Sequence, residues 1–313
     1  MAETGVDIAK AVELLAHDEL VAIPTETVYG LAGNALSRAA VTKIFSVKNR
    51  PQFDPLIVHV PNLEKANDYV LEIPEQARKL AGKFWPGPLT LLLKKKNIIP
   101  DLVTSGLDTV GIRCPDHALT RQLLQALPFP LAAPSANPFG YVSPTKPQHV
   151  DEQLGSKIQY ILDGGPCPIG IESTIVGFED SKPVVYRLGG LSLEAIEETI
   201  GNVKLMTHST SNPKAPGQLQ SHYAPGKKVI LGSIEQLLKT HPHGGVLSFQ
   251  KDYHVTNQIV LSPSGNLEEA AQHLFESLRA FDKTDADVVL TELVPDQGLG
   301  RAINDRLRRA AAV

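Results

Sequence analysis

The residues best suited to chemistry are four cations and a set of hydroxyls and amides, placed where strands end and turns begin. Lys48 and Arg50 stand in "SVKNRPQFDPLIVH", after a helical pattern and before a strand that ends in His59. Arg113 ends "TVGIR" and Arg187 ends "VVYRL". Ser135 and Asn137 close "LAAPSAN", while Ser173 and Thr174 open "STIV". Thr25, Glu26, Thr27 and Tyr29 fill the turn of "IPTETVYGL" after a short apolar run. In an α/β sheet such positions can converge on one crevice. Cations beside hydroxyls suit an anionic ligand. The phosphate-loop, dinucleotide-fold, nucleophile-elbow and zinc-protease signatures are all absent, so a nucleotide here is held without a glycine-rich loop.

Taken singly, each group has a structural explanation. "KNR" is also a helix C-terminus that favours the helix dipole, and "PSANP" is also a turn. His59 fits a half-buried strand, and the arginines fit ion pairs. Their order along the chain is what carries weight.

The elements that must position them follow from periodicity. Ile8, Val12 and Leu15 share a helical face before the strand "LVAI", and Ser37 can cap a helix over "RAAVTKIFSVK". Strands are expected at "PLIVHV", "LTLLLK", "TVGIRC", "FPLAAPSA", "KIQYILDGG", "STIVGF" and "PVVYRLG". Helices are expected near 62–84, 116–126 and 192–200. Strands outnumber the helices between them, so the fold class is α/β with a mixed, twisted sheet flanked by helices. Residues 204–228 are polar, proline-bearing and aperiodic, as in a linker or functional loop. Beyond them short strands and helices alternate in a second, smaller α/β unit. The expected division is 1–203, 204–228 and 229–313.

Composition narrows the class further. The chain has 313 residues, 30 Lys+Arg against 34 Asp+Glu, and a net charge of -4, which argues against a nucleic-acid coat or a polybasic membrane protein. Two cysteines, Cys114 and Cys167, are too few for a disulfide framework or a cysteine-rich zinc site. The first residues carry acids where a signal peptide needs a basic patch, and no apolar run is long enough to span a bilayer. The expectation is a soluble, cytoplasmic protein.

In order, "PTETVYGLAGNA", "KNRPQFDPLIVHV", "FWPGPLTLLL", "VGIRCP", "APSANPFGYVSPT", "ESTIV" and "RLGG" resemble the Sua5/YrdC family of threonylcarbamoyl-AMP synthases. The likeness covers roughly residues 5 to 200. "APGQLQSHYAP" and "GLGRAINDRLRRAA" extend it to the longer Sua5 type, with a linker and C-terminal domain. The resemblance implies a reaction in which L-threonine, bicarbonate and ATP, with Mg2+, give threonylcarbamoyl-AMP and pyrophosphate. A tRNA threonylcarbamoyl transferase would take the product to adenosine 37 of tRNAs decoding ANN codons (t6A). By the same resemblance Lys48 and Arg50 hold the triphosphate, and Ser135, Asn137, Thr109, Arg187 and Tyr223 border ATP. Thr25, His59, Arg113 and Ser173 lie on the threonine side, and Tyr29-Gly30 lets the backbone pass close to the ligand. His222 and Tyr223 form a lid that closes on the site.

Two departures from the family pattern stand out. Asp54 replaces a common Asn, where it can pair with Arg50 or help position Mg2+. Gln218, Leu219 and Gln220 replace a more usual methionine, lysine and aromatic. Two rival readings remain open: an RNA-binding module, and a carbamoyltransferase of the hydrogenase-maturation type, whose zinc-finger modules two cysteines cannot build.

Overall fold

The computed structural model describes residues 1–207, 215–216 and 223–312. Among these, eleven strands form one sheet: β1 (Glu3–Gly5), β2 (Val21–Ile23), β3 (Gly30–Asn34), β4 (Ile57–His59), β5 (Leu89–Lys94), β6 (Thr109–Arg113), β7 (Leu131–Ala132), β8 (Tyr160–Leu162), β9 (Thr174–Glu179), β10 (Lys182–Arg187) and β11 (Lys204–Leu205). Across the sheet the order is β1-β8-β2-β3-β7-β4-β6-β5-β9-β10-β11. β4 runs parallel to β6, while β5 is antiparallel to β6 and parallel to β9. The sheet is mixed, as its strand-rich spacing requires.

Register is what gathers the polar strand ends. His59 and Arg113 are partners across β4 and β6, so their side chains leave the sheet on the same side. Arg113 is also opposite Thr90 on β5, and Thr90 is level with Ile175 on β9, two residues past Ser173. Ile175 in turn faces Arg187 on β10. One rim of the sheet therefore carries His59, Arg113, Ser173 and Arg187.

Local sequence explains most of the framework. Ser37 caps the Arg38–Lys48 helix by accepting from the Ala40 amide at 3.3 Å. Asn49 ends that helix in the left-handed conformation, φ 51°, and turns the chain so that Arg50 leaves the helix axis. The single helical pattern near 62–84 is two helices, Leu63–Ala66 and Glu75–Phe84: the first ends at its cap Asn67, and Pro74 opens the second. β3, in "GLAGN", lacks the β-branched residues that mark a strand. It forms because close packing demands it: a Cβ on Gly33 would meet Leu20 at 2.9 Å and Ile44 at 3.2 Å. β11 lies inside the stretch expected to be linker, paired in parallel with β10, so the first sheet runs on to Leu205.

The remaining four strands, β12 (Val229–Leu231), β13 (Gly245–Ser248), β14 (Gln258–Val260) and β15 (Val289–Thr291), make a parallel sheet in the order β12-β15-β13-β14. Its core is not separate from the first unit. Phe275, Leu278 and Leu307 of the C-terminal helices share one apolar cluster with Val28, Val142 and Ile171. Cys114 and Cys167 are buried and unbridged, and among the described residues no helix is long and apolar enough to cross a membrane.

Candidate active site

A cavity opens on the rim that register assembles. Arg50, His59, Arg113, Ser135, Glu172, Arg187, Pro216 and Tyr223 line it.

At one end Arg113 is 4% exposed, and its Nη2 donates to Thr27 Oγ1 at 2.8 Å. The same nitrogen lies 2.8 Å from Glu26 Oε1, a charge contact that lacks the alignment of a hydrogen bond. Glu26 Oε2 accepts from the Asp116 amide at 3.1 Å, which fixes the carboxylate. Arg113 Nε and His59 Nδ1 are buried with no hydrogen-bond partner among the described residues. Burial, then the neighbouring Arg113, push His59 down to about 3, so its ring is neutral.

The threonines of the opening turn divide the work differently from expectation. Thr25 Oγ1 donates to the Val28 carbonyl at 2.7 Å and accepts from the amides of Thr27 and Val28. That leaves Thr27 as donor in the 2.8 Å contact between the two hydroxyls. Thr25 is spent on the turn, and Thr27 is the residue that meets Arg113. Tyr29 is structural as well: its hydroxyl donates to Gly165 and accepts from the Gly164 amide. Gly30 admits close approach by the chain and not by a ligand, since a Cβ there would meet Ala133 at 3.2 Å.

Elsewhere on the cavity lining Arg50 pairs with Asp54 at 2.8 Å and donates to the carbonyls of Asp54 and Pro55. Asp54 thus takes the pairing role open to it; burial still raises its carboxyl despite Arg50, and Oδ1 has no partner among the described residues. Lys48 does not line the cavity. Its Nζ is buried beneath the "PSAN" turn and donates to the carbonyls of Ser135, at 2.5 Å, and Asn137. Burial and Arg50 together hold its ammonium well below the ordinary lysine range. The Asn137 amide group donates to the carbonyls of Pro138 and Tyr141, both at 2.8 Å, so it braces the same turn. Ser135 remains on the cavity wall.

At the other end Arg187 donates from Nε to the Ser173 carbonyl at 2.9 Å and from Nη2 to Ser173 Oγ at 3.0 Å. Ser173 Oγ is also 2.8 Å from Thr90 Oγ1, so this serine orients the arginine from behind. Arg187 Nη1 reaches the Pro216 carbonyl at 3.4 Å. Tyr223, with φ 68°, is buried in the wall and stacks on Phe275 at 5.5 Å. His222, Gly217 and Gln218-Leu219-Gln220 lie outside the described residues. Thr109 is not brought to this pocket. It starts β6, opposite Lys94, about 13 Å from Arg113 at the strand rise per residue, and borders a different depression.

One contributor is named with its turn but given no role on the threonine side, and two are not singled out from sequence. Thr27 lies two residues past Thr25, and period two was the available signal. Glu172 immediately precedes Ser173; its Oε1 accepts from Ser143 Oγ at 2.6 Å, and its Oε2 accepts from Arg306. Arg306, from the Gly300–Ala310 helix, lies in the C-terminal family segment, but nothing local marks it as a partner of the site.

The comparisons with known proteins agree along the whole chain. The Sua5_yciO_yrdC profile, described as telomere recombination, matches residues 13–189, and the profile of the threonylcarbamoyl-AMP synthase C-terminal domain matches 191–312. A threonylcarbamoyl-AMP synthase of Pyrococcus abyssi is 42% identical, over 96% of this chain and 93% of its own. One of Bacillus subtilis is 41% identical, over 97% and 92%. The crystal structure of P. abyssi Sua5 complexed with L-threonine superposes with a TM-score of 0.92 at 39% identity, covering 99% of this chain and 97% of that one. The chain belongs to the Sua5/YrdC family, in the long form that carries the Sua5 C-terminal domain.

Proposed function

We propose that this chain is an L-threonylcarbamoyladenylate synthase, joining L-threonine, bicarbonate and ATP with release of pyrophosphate. The observation that carries this reading is the convergence of three buried arginines, Arg50, Arg113 and Arg187, on one cavity beside a neutral histidine. The full-length relatives bear that name, and the P. abyssi protein was crystallised with L-threonine.

The chemistry needs positioning more than a protein nucleophile. The amine of threonine takes up bicarbonate to give a carbamate, with loss of water and of the ammonium proton. A carbamate oxygen then attacks the α-phosphorus of ATP, and pyrophosphate leaves in line. Both reactants are anions, so arginines aimed at them lower the barrier. Arg113, with an unspent Nε and the Thr27 hydroxyl behind it, offers a fork for the threonine carboxylate. His59, neutral and with Nδ1 unspent, adds a hydrogen bond without adding charge. Arg50, Ser135 and Arg187 face the phosphates, while Lys48 and Asn137 hold the Ser135 turn. Mg2+ would come with the nucleotide. Among the described residues no group of three or more His, Cys, Asp or Glu is placed to hold a metal, so the phosphates and water would supply most of its ligands.

The division into a catalytic unit at 1–203, a linker at 204–228 and a C-terminal unit at 229–313 belongs to the same proposal, with Tyr223 and His222 acting in a lid. The cavity measures only ≈ 50 Å³, whereas ligand pockets usually hold about 300–1,000 Å³. Pro216 and Tyr223 form its wall, so the wall must move to admit substrates and can then shut out water. The product is a mixed anhydride and acylates any nucleophile within reach. A transferase that delivers the group to adenosine 37 of ANN-decoding tRNAs would consume it, with RNA contact by this chain weak at most.

The test is direct. Pyrophosphate release from ATP should require both threonine and bicarbonate. Release without either, or RNA affinity with no release, would refute the assignment.

A further inference from the structure

The C-terminal unit contributes a charge to the nucleotide end of the pocket. Arg306 is fully buried on the Gly300–Ala310 helix, and the apolar cluster beneath it is continuous with the pocket wall. Its Nε and Nη2 both donate to Glu172 Oε2, at 3.2 and 3.0 Å. Nη1 donates to the Leu188 carbonyl at 2.7 Å and to Asp305 Oδ2 at 3.0 Å, and the guanidinium lies 5.1 Å from the Tyr223 ring centre. Four of its five donor hydrogens are thereby committed.

Glu172 is the only carboxylate among the residues described as lining the cavity, and Arg187 lines it too. Arg187 holds the Ser173 and Pro216 carbonyls, and among the described residues it makes no ion pair. By contrast Arg50 has Asp54 and Arg113 has Glu26. Glu172 immediately precedes Ser173, whose carbonyl and hydroxyl Arg187 holds, and Glu172 and Arg187 both line the same cavity, so the carboxylate stands beside that arginine. A free carboxylate beside an arginine that has no carboxylate partner among the described residues would pair with it in a low-dielectric wall. Burial alone would push the Glu172 carboxyl up, yet Arg306 and then Arg187 outweigh that and keep it ionised.

We propose that Arg306 is a positioning residue: by engaging Glu172 it keeps Arg187 available to the phosphates of ATP. The proposal rests on the ATP reading above. It gives the C-terminal unit a part in substrate binding that is separate from supporting the linker.

The experiment uses the full-length chain and three forms: wild type, R306M and E172Q/R306M. Met keeps an apolar side chain over Tyr223. In R306M the KM for ATP should rise about tenfold, the scale of losing one charge-assisted contact, while the KM for threonine stays as in wild type. In E172Q/R306M no carboxylate remains to capture Arg187, so the KM for ATP should return to the wild-type value even if the melting temperature does not. A double variant with a raised KM for ATP would overturn the proposal and reduce Arg306 to a structural support. If R306M does not fold, the double variant decides alone by the same criterion. A wild-type chain that releases no pyrophosphate with threonine and bicarbonate would instead refute the ATP reading, and this proposal with it.

Discussion

At the Arg113 end of the pocket every contact comes from the first sheet and its turns: Thr27 and Glu26 from the turn after β2, His59 from β4, and Arg113 from β6. At the Arg187 end the wall is Glu172, Pro216 and Tyr223, and it depends on Arg306, 134 residues beyond Glu172. The first end is fixed by strand register, which a core of apolar side chains makes rigid. The second joins Arg187 and Glu172 of the first unit to Pro216, Tyr223 and the C-terminal helix that carries Arg306, segments far apart along the chain. One end is set by local register and the other by long-range contacts, so the two should respond differently to substitution.

Arg113 should therefore give the largest effect. Arg113→Ala removes the fork and leaves Glu26 without its cation, and losing one partner of a buried charge pair costs about 2–5 kcal/mol. Threonine binding measured by calorimetry should fall by about thirtyfold or more, while the nucleotide, held at the other end, still binds. Equal losses for threonine and ATP would erase the distinction between the two ends.

Next come Lys48 and Arg50, which stand two residues apart yet do different work. Both Lys48→Met and Arg50→Met should slow adenylate formation on the scale of about 3 kcal/mol in the barrier. Lys48→Met should also lower the melting temperature, because the Ser135 and Asn137 carbonyls lose their shared donor, at about 1–3 kcal/mol for an unsatisfied buried group. A Lys48→Met protein of full stability and lost turnover would place the ammonium on the phosphates instead.

This pair shows where sequence stops being legible. Strand ends, the Ser37 cap and the family order of motifs announce a mixed sheet and a rim of polar residues. They do not say which way a polar side chain faces. Thr25 and Thr27, or Lys48 and Arg50, carry the same chemistry at neighbouring positions, and only backbone geometry decides which supports the chain and which meets a ligand. Thr109 falls away from the pocket for a related reason: it and Arg113, four residues on, share a face of β6 but lie at opposite ends of the strand. Glu172–Arg306 was invisible because nothing local marks a contact across 134 residues.

A smaller effect separates the two threonines. Thr25→Val removes the acceptor for two amides and should lower stability by about 1–3 kcal/mol. Thr27→Val should leave more stability and instead raise the KM for threonine, because Arg113 loses the oxygen that aims it. As substrates, valine should fail and serine retain partial activity, since one methyl is worth roughly 1–3 kcal/mol. If Thr25→Val harmed the threonine KM more than Thr27→Val, the turn would have to be reassigned.

The smallest expected effect is a pH dependence confined to the Arg113 end. His59 is held near 3, against an ordinary value of 6.5, by burial and then by Arg113. Below 6.5 the unfolded chain takes up a proton that the folded chain refuses, so stability rises with pH through this window. The contribution is fully present above 6.5 and erodes as pH falls towards 3, with about 1 kcal/mol lost between pH 7 and 5.5. Other groups titrate in the same range, so the informative quantity is the difference in unfolding free energy between wild type and His59→Gln, from urea titrations at each pH. That difference should shift against wild type by this amount on acidification. A difference that is constant from pH 7 to 5.5 would mean that the folded protein accepts a proton on His59. The Arg113 end would then carry two cations, and its claim to be the neutral, rigid end of the pocket would fail.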